Sequence, residues 1–155
     1  RAVGNDTFAV LLADDFLTDY LPGVTADLIS AYELNGKSQL SVMKVEGPDI
    51  SKYGVIVPDA DGAGIIGLSE KPNIADAPSN LASIGRYVLT PDIFQILRAV
   101  PKDAGGEIQL ADAINIQASR GAVDTVKING KRFDCGSVNG FIEATNFEFR
   151  KMTVT

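Results

Sequence analysis

Asp14 and Asp134 are the residues of this chain best placed to do chemistry. Phe8-Ala9-Val10-Leu11-Leu12-Ala13 reads as an apolar strand running into Asp14-Asp15, and Lys131-Arg132-Phe133 runs into Asp134-Cys135-Gly136. A solvent-free strand of Val and Leu that ends in a bare carboxylate loses desolvation energy unless a cation faces it. In open α/β sheets the carboxyl ends of the strands are where ligands bind. Two such carboxylates brought together would hold a divalent metal over a phosphorylated substrate.

A second constellation is Ser69-Glu70-Lys71-Pro72, at the end of the strand pattern Ile65 to Leu68. An acid and a base adjacent on a strand point to opposite faces, so the two are expected not to pair with each other. One reading is a strand end leaving the sheet. The other is that Glu70 accepts hydrogen bonds from sugar hydroxyls while Lys71 holds a phosphate as a point charge. Ala104-Gly105-Gly106-Glu107-Ile108-Gln109-Leu110 is either a flexible helix start with a dipole-favoured acid or a loop closing over a ligand.

Composition narrows the chemistry. There is no histidine, which removes the usual general base, Ser-His and Cys-His nucleophiles and histidine-ligated zinc. The single cysteine, Cys135, excludes an intramolecular disulfide and fits a reducing cytoplasm. A net charge of −6 argues against nucleic acid as partner. The longest apolar run falls far short of the roughly 20 residues of a membrane helix. Carboxylates, lysines, backbone amides and a metal remain.

Two motif matches mislead. Gly62-Ala63-Gly64-Ile65-Ile66-Gly67 fits the dinucleotide pattern G-x-G-x-x-G, but Asp59 and Asp61 precede it and Pro72 stops a helix from following. Its glycines are expected to serve a tight turn and a close strand. Asp59 to Glu70 nearly fits a calcium-binding loop, but Ala63 replaces an oxygen ligand and the flanking helices are missing. Asp59 and Asp61 are expected to be solvated turn residues.

The elements that must position these groups alternate. Strands are expected at residues 8 to 13, Gln39 to Val45, Tyr53 to Val57, Gly64 to Ser69, Ala82 to Leu89, Val123 to Ile128 and Lys131 to Asp134. Helices are expected near Asp27 to Leu34, after Thr90-Pro91 with Thr90 as N-cap, from Glu107 to Arg120, and from Ser137 to Met152. Residues 1–155 read as one α/β domain whose sheet is mixed, because the two strands around Pro58 to Gly62 form a hairpin-like pair. The chain has no initial Met and enters a buried-type strand at once, which reads as a piece of a longer protein.

Taken in order, these stretches resemble the bacterial UTP–glucose-1-phosphate uridylyltransferases (UDP-glucose pyrophosphorylases), within the sugar-nucleotidyltransferase superfamily. The resemblance is carried by residues 8–15, Lys52-Tyr53-Gly54-Val55, Glu70-Lys71-Pro72 and Pro78-Ser79-Asn80-Leu81-Ala82. It continues through Gly85-Arg86-Tyr87-Val88-Leu89-Thr90-Pro91, Gly105-Gly106-Glu107-Ile108-Gln109-Leu110 and Gly130-Lys131-Arg132-Phe133-Asp134-Cys135-Gly136. It implies a Rossmann-like nucleotidyltransferase fold with a mixed central sheet, here lacking its N-terminal, nucleotide-binding half. It implies Asp14 and Asp134 as Mg²⁺ ligands and catalytic residues, with Asp15 a second-rank candidate that orients Asp14. Glu70 is implied as the glucose-hydroxyl acceptor, Lys71 as the catalytic contact to the sugar phosphate, and the Gly54 backbone as a further sugar contact. UTP, glucose 1-phosphate and UDP-glucose are the implied partners, in a cytoplasmic enzyme that forms homo-oligomers, with no nucleic acid and no membrane. Val138-Asn139 departs from the family, which tends to carry a basic residue there. The rival readings are a thymidylyl or adenylyl relative, a non-catalytic sugar-phosphate-binding module, and a metal-dependent glycosyltransferase, whose Asp-x-Asp spacing Asp14-Asp15 lacks.

Overall fold

The computed structural model describes residues 3–62, 64–103 and 105–153. Ala63, which breaks the calcium-loop pattern, and Ala104 lie outside the described residues. The architecture is α/β with a mixed sheet, as the alternation of elements required. The central strand is β6, Leu81–Leu89, in a six-stranded sheet. On one side β6 pairs antiparallel with β3, Ser38–Lys44, which pairs parallel with β7, Val123–Lys127. The other side is shared. β4, Gly54–Pro58, meets β6 at Ala82, and β1, Phe8–Leu11, pairs antiparallel with it from Arg86 to Leu89. β5, Ile65–Glu70, completes the sheet against β4. Between the two partners, at Ser83 to Gly85, this side of β6 is open, and the site forms beside that gap.

β1 is shorter and more exposed than its composition suggested. It ends at Leu11, and its side chains alternate between half-buried and exposed, with Leu11 56% exposed. It lies along the end of β6, so one of its faces meets solvent, and Leu12 to Asp14 turn out of the sheet.

Two apolar layers cover the faces. Leu40, Val42, Ile56, Leu89 and Val123 pack against Ile93 and Ile96 of α2, Ile93–Ala99, and Ala113, Ile114 and Ala118 of α3, Leu110–Ser119. Val88 on the opposite face packs against Val24 and Leu28 of α1, Val24–Asn35, which ends at Gly36 in the left-handed conformation. Buried polar pairs fix how the helices dock. The Gln117 amide donates to the Thr90 hydroxyl at 3.0 Å and to Asp92 at 2.9 Å, while Ser38 donates to Gln117 Oε1 at 3.1 Å. Thr90 is therefore a tertiary hub rather than the expected N-cap, and α2 begins only at Ile93. At the sheet edge the Asn115 amide satisfies both backbone groups of Leu68. That contact needs Gly67, where a Cβ would stand 2.9 Å from Asn115 Oδ1. Gly62 takes φ +72° in the turn before β5, so these glycines serve a turn and a close approach. Asp61 is exposed, whereas Asp59 is half-buried with its carboxylate folded against Gly64, contrary to the expectation of a fully solvated residue.

A separate two-stranded ribbon pairs β2, Asp15–Thr18, with β8, Lys131–Asp134. The terminal helix α4, Val138–Thr153, lies against β8. Among the described residues no helix is long and apolar enough to cross a membrane.

Candidate active site

The ribbon brings the two separated carboxylates together. Asp15 of β2 stands opposite Asp134 of β8, so Asp14, one residue earlier, comes beside the turn that follows Asp134. The Cys135 amide donates to the Asp14 carbonyl at 2.7 Å, and the Gly136 amide donates to Asp134 Oδ1 at 3.1 Å. Asp134 Oδ1 and Asp14 Oδ2 lie 3.1 and 3.2 Å from the place a Cβ on Gly136 would occupy. The two oxygens therefore flank one point, and Gly136 leaves that point free. Both side chains are exposed. Asp14 and Asp134 are thus neighbours because of a ribbon outside the main sheet, not because two strands of one sheet end side by side.

Asp15 does not share the exposed position of Asp14. It is buried, and it points away from solvent to Arg132. Arg132 Nε donates to Asp15 Oδ1 at 2.5 Å and Nη2 approaches the same oxygen equally closely, while the Gly85 amide donates to Asp15 Oδ2 at 2.7 Å. The remaining Arg132 nitrogen, Nη1, donates to the Tyr53 hydroxyl at 2.7 Å. Burial pulls the Arg132 guanidinium down, but the charge and hydrogen bonds of Asp15 more than offset it and hold it above its ordinary value. Arg86 donates to the Leu12 carbonyl at 2.9 Å and the Asp15 carbonyl at 2.7 Å, pinning the turn that carries Asp14.

Glu70 and Gly54 sit opposite each other where β4 and β5 pair. A Cβ on Gly54 would stand 3.1 Å from Glu70 Oε2, so the missing side chain lets the carboxylate lie over bare backbone. Both line a cavity of about 230 Å³ at the gap in β6, together with Asp15, Tyr53, Gly85 and Tyr87. Leu110 and Ala111, the first residues of α3, close one wall. Burial pushes the Tyr87 phenol up from its ordinary value. Lys52 stands at the rim, its ammonium held up by Asp49 at 2.7 Å, with smaller contributions from Tyr53 and Asp134.

Lys71 has left the strand. Its backbone takes φ +44° and its amide donates to the Tyr53 carbonyl at 3.0 Å. This bend breaks the alternation that was expected to separate it from Glu70, and Lys71 Nζ comes to 3.9 Å from Glu70 Oε1. Both side chains remain largely exposed, so the contact is a loose one. Lys71 is outside the cavity lining, beside its Glu70 wall.

Asp103 braces the described residues before α3. Asp103 Oδ1 accepts from the Gly105 and Glu107 amides at 2.8 and 2.9 Å, and Oδ2 accepts from Gln109 at 2.7 Å. These bonds, that of Gln109 foremost, hold the Asp103 carboxyl below its ordinary value. Glu107 lies outside α3, whose first-turn acid is Asp112. At α4 the Ser137 hydroxyl accepts from the Gly140 amide at 3.1 Å, and exposed Val138 occupies the place of the expected basic residue.

A larger cavity, about 530 Å³, lies between β8 and α4, lined by residues such as Lys131, Phe147 and Arg150. Of the groups described above it is lined only by Arg132, with none of Asp14, Asp134, Gly54, Glu70 or Lys71, and Lys131 there sits 4.2 Å over the Phe147 ring. Size alone does not locate the chemistry; convergence of carboxylates does.

A family model described as "Nucleotidyl transferase" matches residues 1–151. The chain belongs to the nucleotidyl transferase family. Among its relatives in this family, a UTP–glucose-1-phosphate uridylyltransferase of Pseudomonas aeruginosa is 46% identical over 149 residues, covering 94% of this chain and 53% of that protein. One from Mycoplasma genitalium is 41% identical, covering 94% and 51%. Two solved nucleotidyl transferase structures are similar. A UDP-glucose pyrophosphorylase complexed with UDP-glucose superposes with a TM-score of 0.88 at 44% identity, over 97% of this chain and 59% of that one. A UTP-bound enzyme from Acinetobacter baumannii gives 0.82 at 32%, over 99% and 57%. The chain spans about half the length of the curated relatives it matches.

Asp15, Arg132, Tyr53 and Gly85 form a connection that sequence reasoning missed. The available signal was a second acid next to Asp14 and a cation two residues before Asp134, on the same face of its strand.

Proposed function

We propose that this chain forms the sugar-phosphate and metal side of a UTP–glucose-1-phosphate uridylyltransferase, which makes UDP-glucose and pyrophosphate. The observation that carries the reading is the pairing of Asp14 and Asp134 around the free point at Gly136, linked to a cavity walled by Gly54 and Glu70. The names of the relatives and the UDP-glucose complex of a similar structure support the substrates.

The donor set suits Mg²⁺. Two exposed carboxylates lie side by side at Gly136, and this ion is commonly held by one or two carboxylates, the rest of its shell being water and substrate phosphate. Among the described residues no group of three or more acidic or cysteine side chains is placed to hold a metal. When bound there, Mg²⁺ would neutralise phosphate charge.

The remaining work falls to side chains of this chain. Glu70 accepts hydrogen bonds from glucose hydroxyls above the bare Gly54 backbone. Lys71 places its ammonium beside the sugar phosphate. In the reaction a phosphate oxygen of glucose 1-phosphate attacks the α-phosphorus of UTP, one new P–O bond forms, and the bond to pyrophosphate breaks. The attacking oxygen is already an anion, so no general base is needed, which agrees with a chain that has no histidine. The protein's task is to hold two anions together and in line.

Calorimetric titration of UDP-glucose into this chain with Mg²⁺ tests the reading. Saturable binding that is lost in Glu70→Ala and in Asp134→Ala is the expected result. Binding to wild type that both variants retain unchanged would overturn it.

A further inference from the structure

The Arg132–Asp15 pair stands between the two halves of the site. Each partner is about nine-tenths buried. Asp15 is the chain neighbour of Asp14 and the cross-strand partner of Asp134, and Arg132 lies two residues before Asp134 on the same face of β8. The contacts then run out of the ribbon. Asp15 takes the Gly85 amide at the gap in β6, and Arg132 holds the Tyr53 hydroxyl at 2.7 Å, with its guanidinium 5.2 Å from the centre of that ring. Tyr53 in turn accepts the Lys71 amide through its carbonyl and precedes Gly54. One connected path of hydrogen bonds thus reaches the neighbours of both carboxylates, the cavity wall and the lysine.

A buried ion pair contributes little net stability compared with well-packed apolar groups. What it does impose is geometry, because a guanidinium fork meets its acceptors at fixed angles. A two-stranded ribbon by itself is marginally stable, and this pair joins the Arg86 bonds to Leu12 and Asp15 and the packing of Leu17 in fixing its position relative to the sheet. Packing alone would permit a range of positions; the fork and the two oxygens of Asp15 select one.

We propose that Arg132 and Asp15, with Tyr53, are positioning residues that set where Asp14 and Asp134 stand relative to the sugar-phosphate cavity. This rests on the reading of Asp14 and Asp134 as metal ligands. Partners of this kind behind a metal ligand usually change metal affinity by roughly 10- to 100-fold when altered.

The test is Mn²⁺ binding to this chain, read from the electron paramagnetic resonance of free and bound ion, with thermal melting as the folding control. Wild type binds, and Asp134→Asn loses binding. Arg132→Lys, which keeps the charge but not the fork, is expected to weaken Mn²⁺ by at least about tenfold and to alter the bound-ion spectrum. Tyr53→Phe, which removes one hydroxyl and leaves the ion pair and ring in place, is the milder variant. It decides the matter if Arg132→Lys does not fold, with a weakening of about threefold or more expected at an unchanged melting temperature. Folded Arg132→Lys and Tyr53→Phe variants that bind Mn²⁺ like wild type, while Asp134→Asn does not, would overturn the positioning role and leave the metal reading intact. Wild type that fails to bind, or Asp134→Asn that binds normally, would overturn both.

Discussion

Lys71 is held by its backbone, not by its side chain. Its amide is bonded to Tyr53, its φ is positive, and its ammonium is largely exposed with a loose 3.9 Å approach to Glu70. Removing such a side chain changes stability by about 0.5 kcal/mol or less, while a hydrogen bond from an ammonium to a phosphate is commonly worth about 1.5 kcal/mol or more. Lys71→Ala is therefore expected to melt within a few degrees of wild type and to weaken UDP-glucose binding by roughly tenfold, about 1.4 kcal/mol. Isothermal calorimetry beside a melting curve separates the two effects; an unchanged affinity would remove Lys71 from the site. Gly54 and Gly136 contribute in the opposite manner, by the space their missing Cβ leaves beside a carboxylate.

At the scale of elements, the gap in β6 between β4 and β1 is what allows a cavity to open in the middle of a sheet. Gly85 sits there because nothing larger fits. Its Cβ would come within 2.6 Å of both Asp15 Oδ2 and Leu12 Cβ, and Asp15 is tied to Arg132 and to the Gly85 amide itself. Neither neighbour is the free end of a flexible side chain. Gly85→Ala is expected to cost about 2 kcal/mol of stability, read from urea denaturation, and a loss under about 0.5 kcal/mol would show that the turn at Leu12 yields. The order of strands and helices was legible in the sequence, since β-branched runs, the Asn35-Gly36 stop and the Pro58 to Gly62 turn each have a local cause. Element ends were not. Thr90 is drawn into the Ser38–Gln117–Asp92 cluster, and Glu107 into the turn around Asp103, by partners distant in sequence or bonds that local propensity does not encode.

At the scale of the molecule, the chain has a sheet with helices on both faces and, beside it, a ribbon with one helix. The sheet core is extensive, whereas α4 keeps Val138, Phe141, Phe149 and Met152 exposed. Among the described residues its polar ties to the ribbon include Thr18, which donates to Glu148 at 2.6 Å and accepts from Lys151 at 3.2 Å. Regions with few buried apolar contacts open at lower free energy than the core. Native-state hydrogen exchange is expected to show amides of β2 and β8 opening below the global unfolding free energy, with β3 and β6 at it. Equal protection in ribbon and sheet would mean that the two unfold as one unit.

The residue types of Asp14, Asp134, Glu70 and Lys71, the strand each follows, and the absence of histidine are properties of the linear chain; they left carboxylates, lysines, backbone amides and a metal as the candidate chemistry, and the resemblance to the uridylyltransferases supplied the expected reaction. Tertiary structure decided which acid is free and which is clamped. Asp14 and Asp15 are identical in type and adjacent in sequence, yet one is exposed beside Gly136 and the other is buried against Arg132. The difference comes from a pairing between distant segments, β2 with β8, that positions a guanidinium behind one carboxylate and leaves the other facing solvent. No local pattern encodes that choice, because the charge that makes it lies at the far end of the chain.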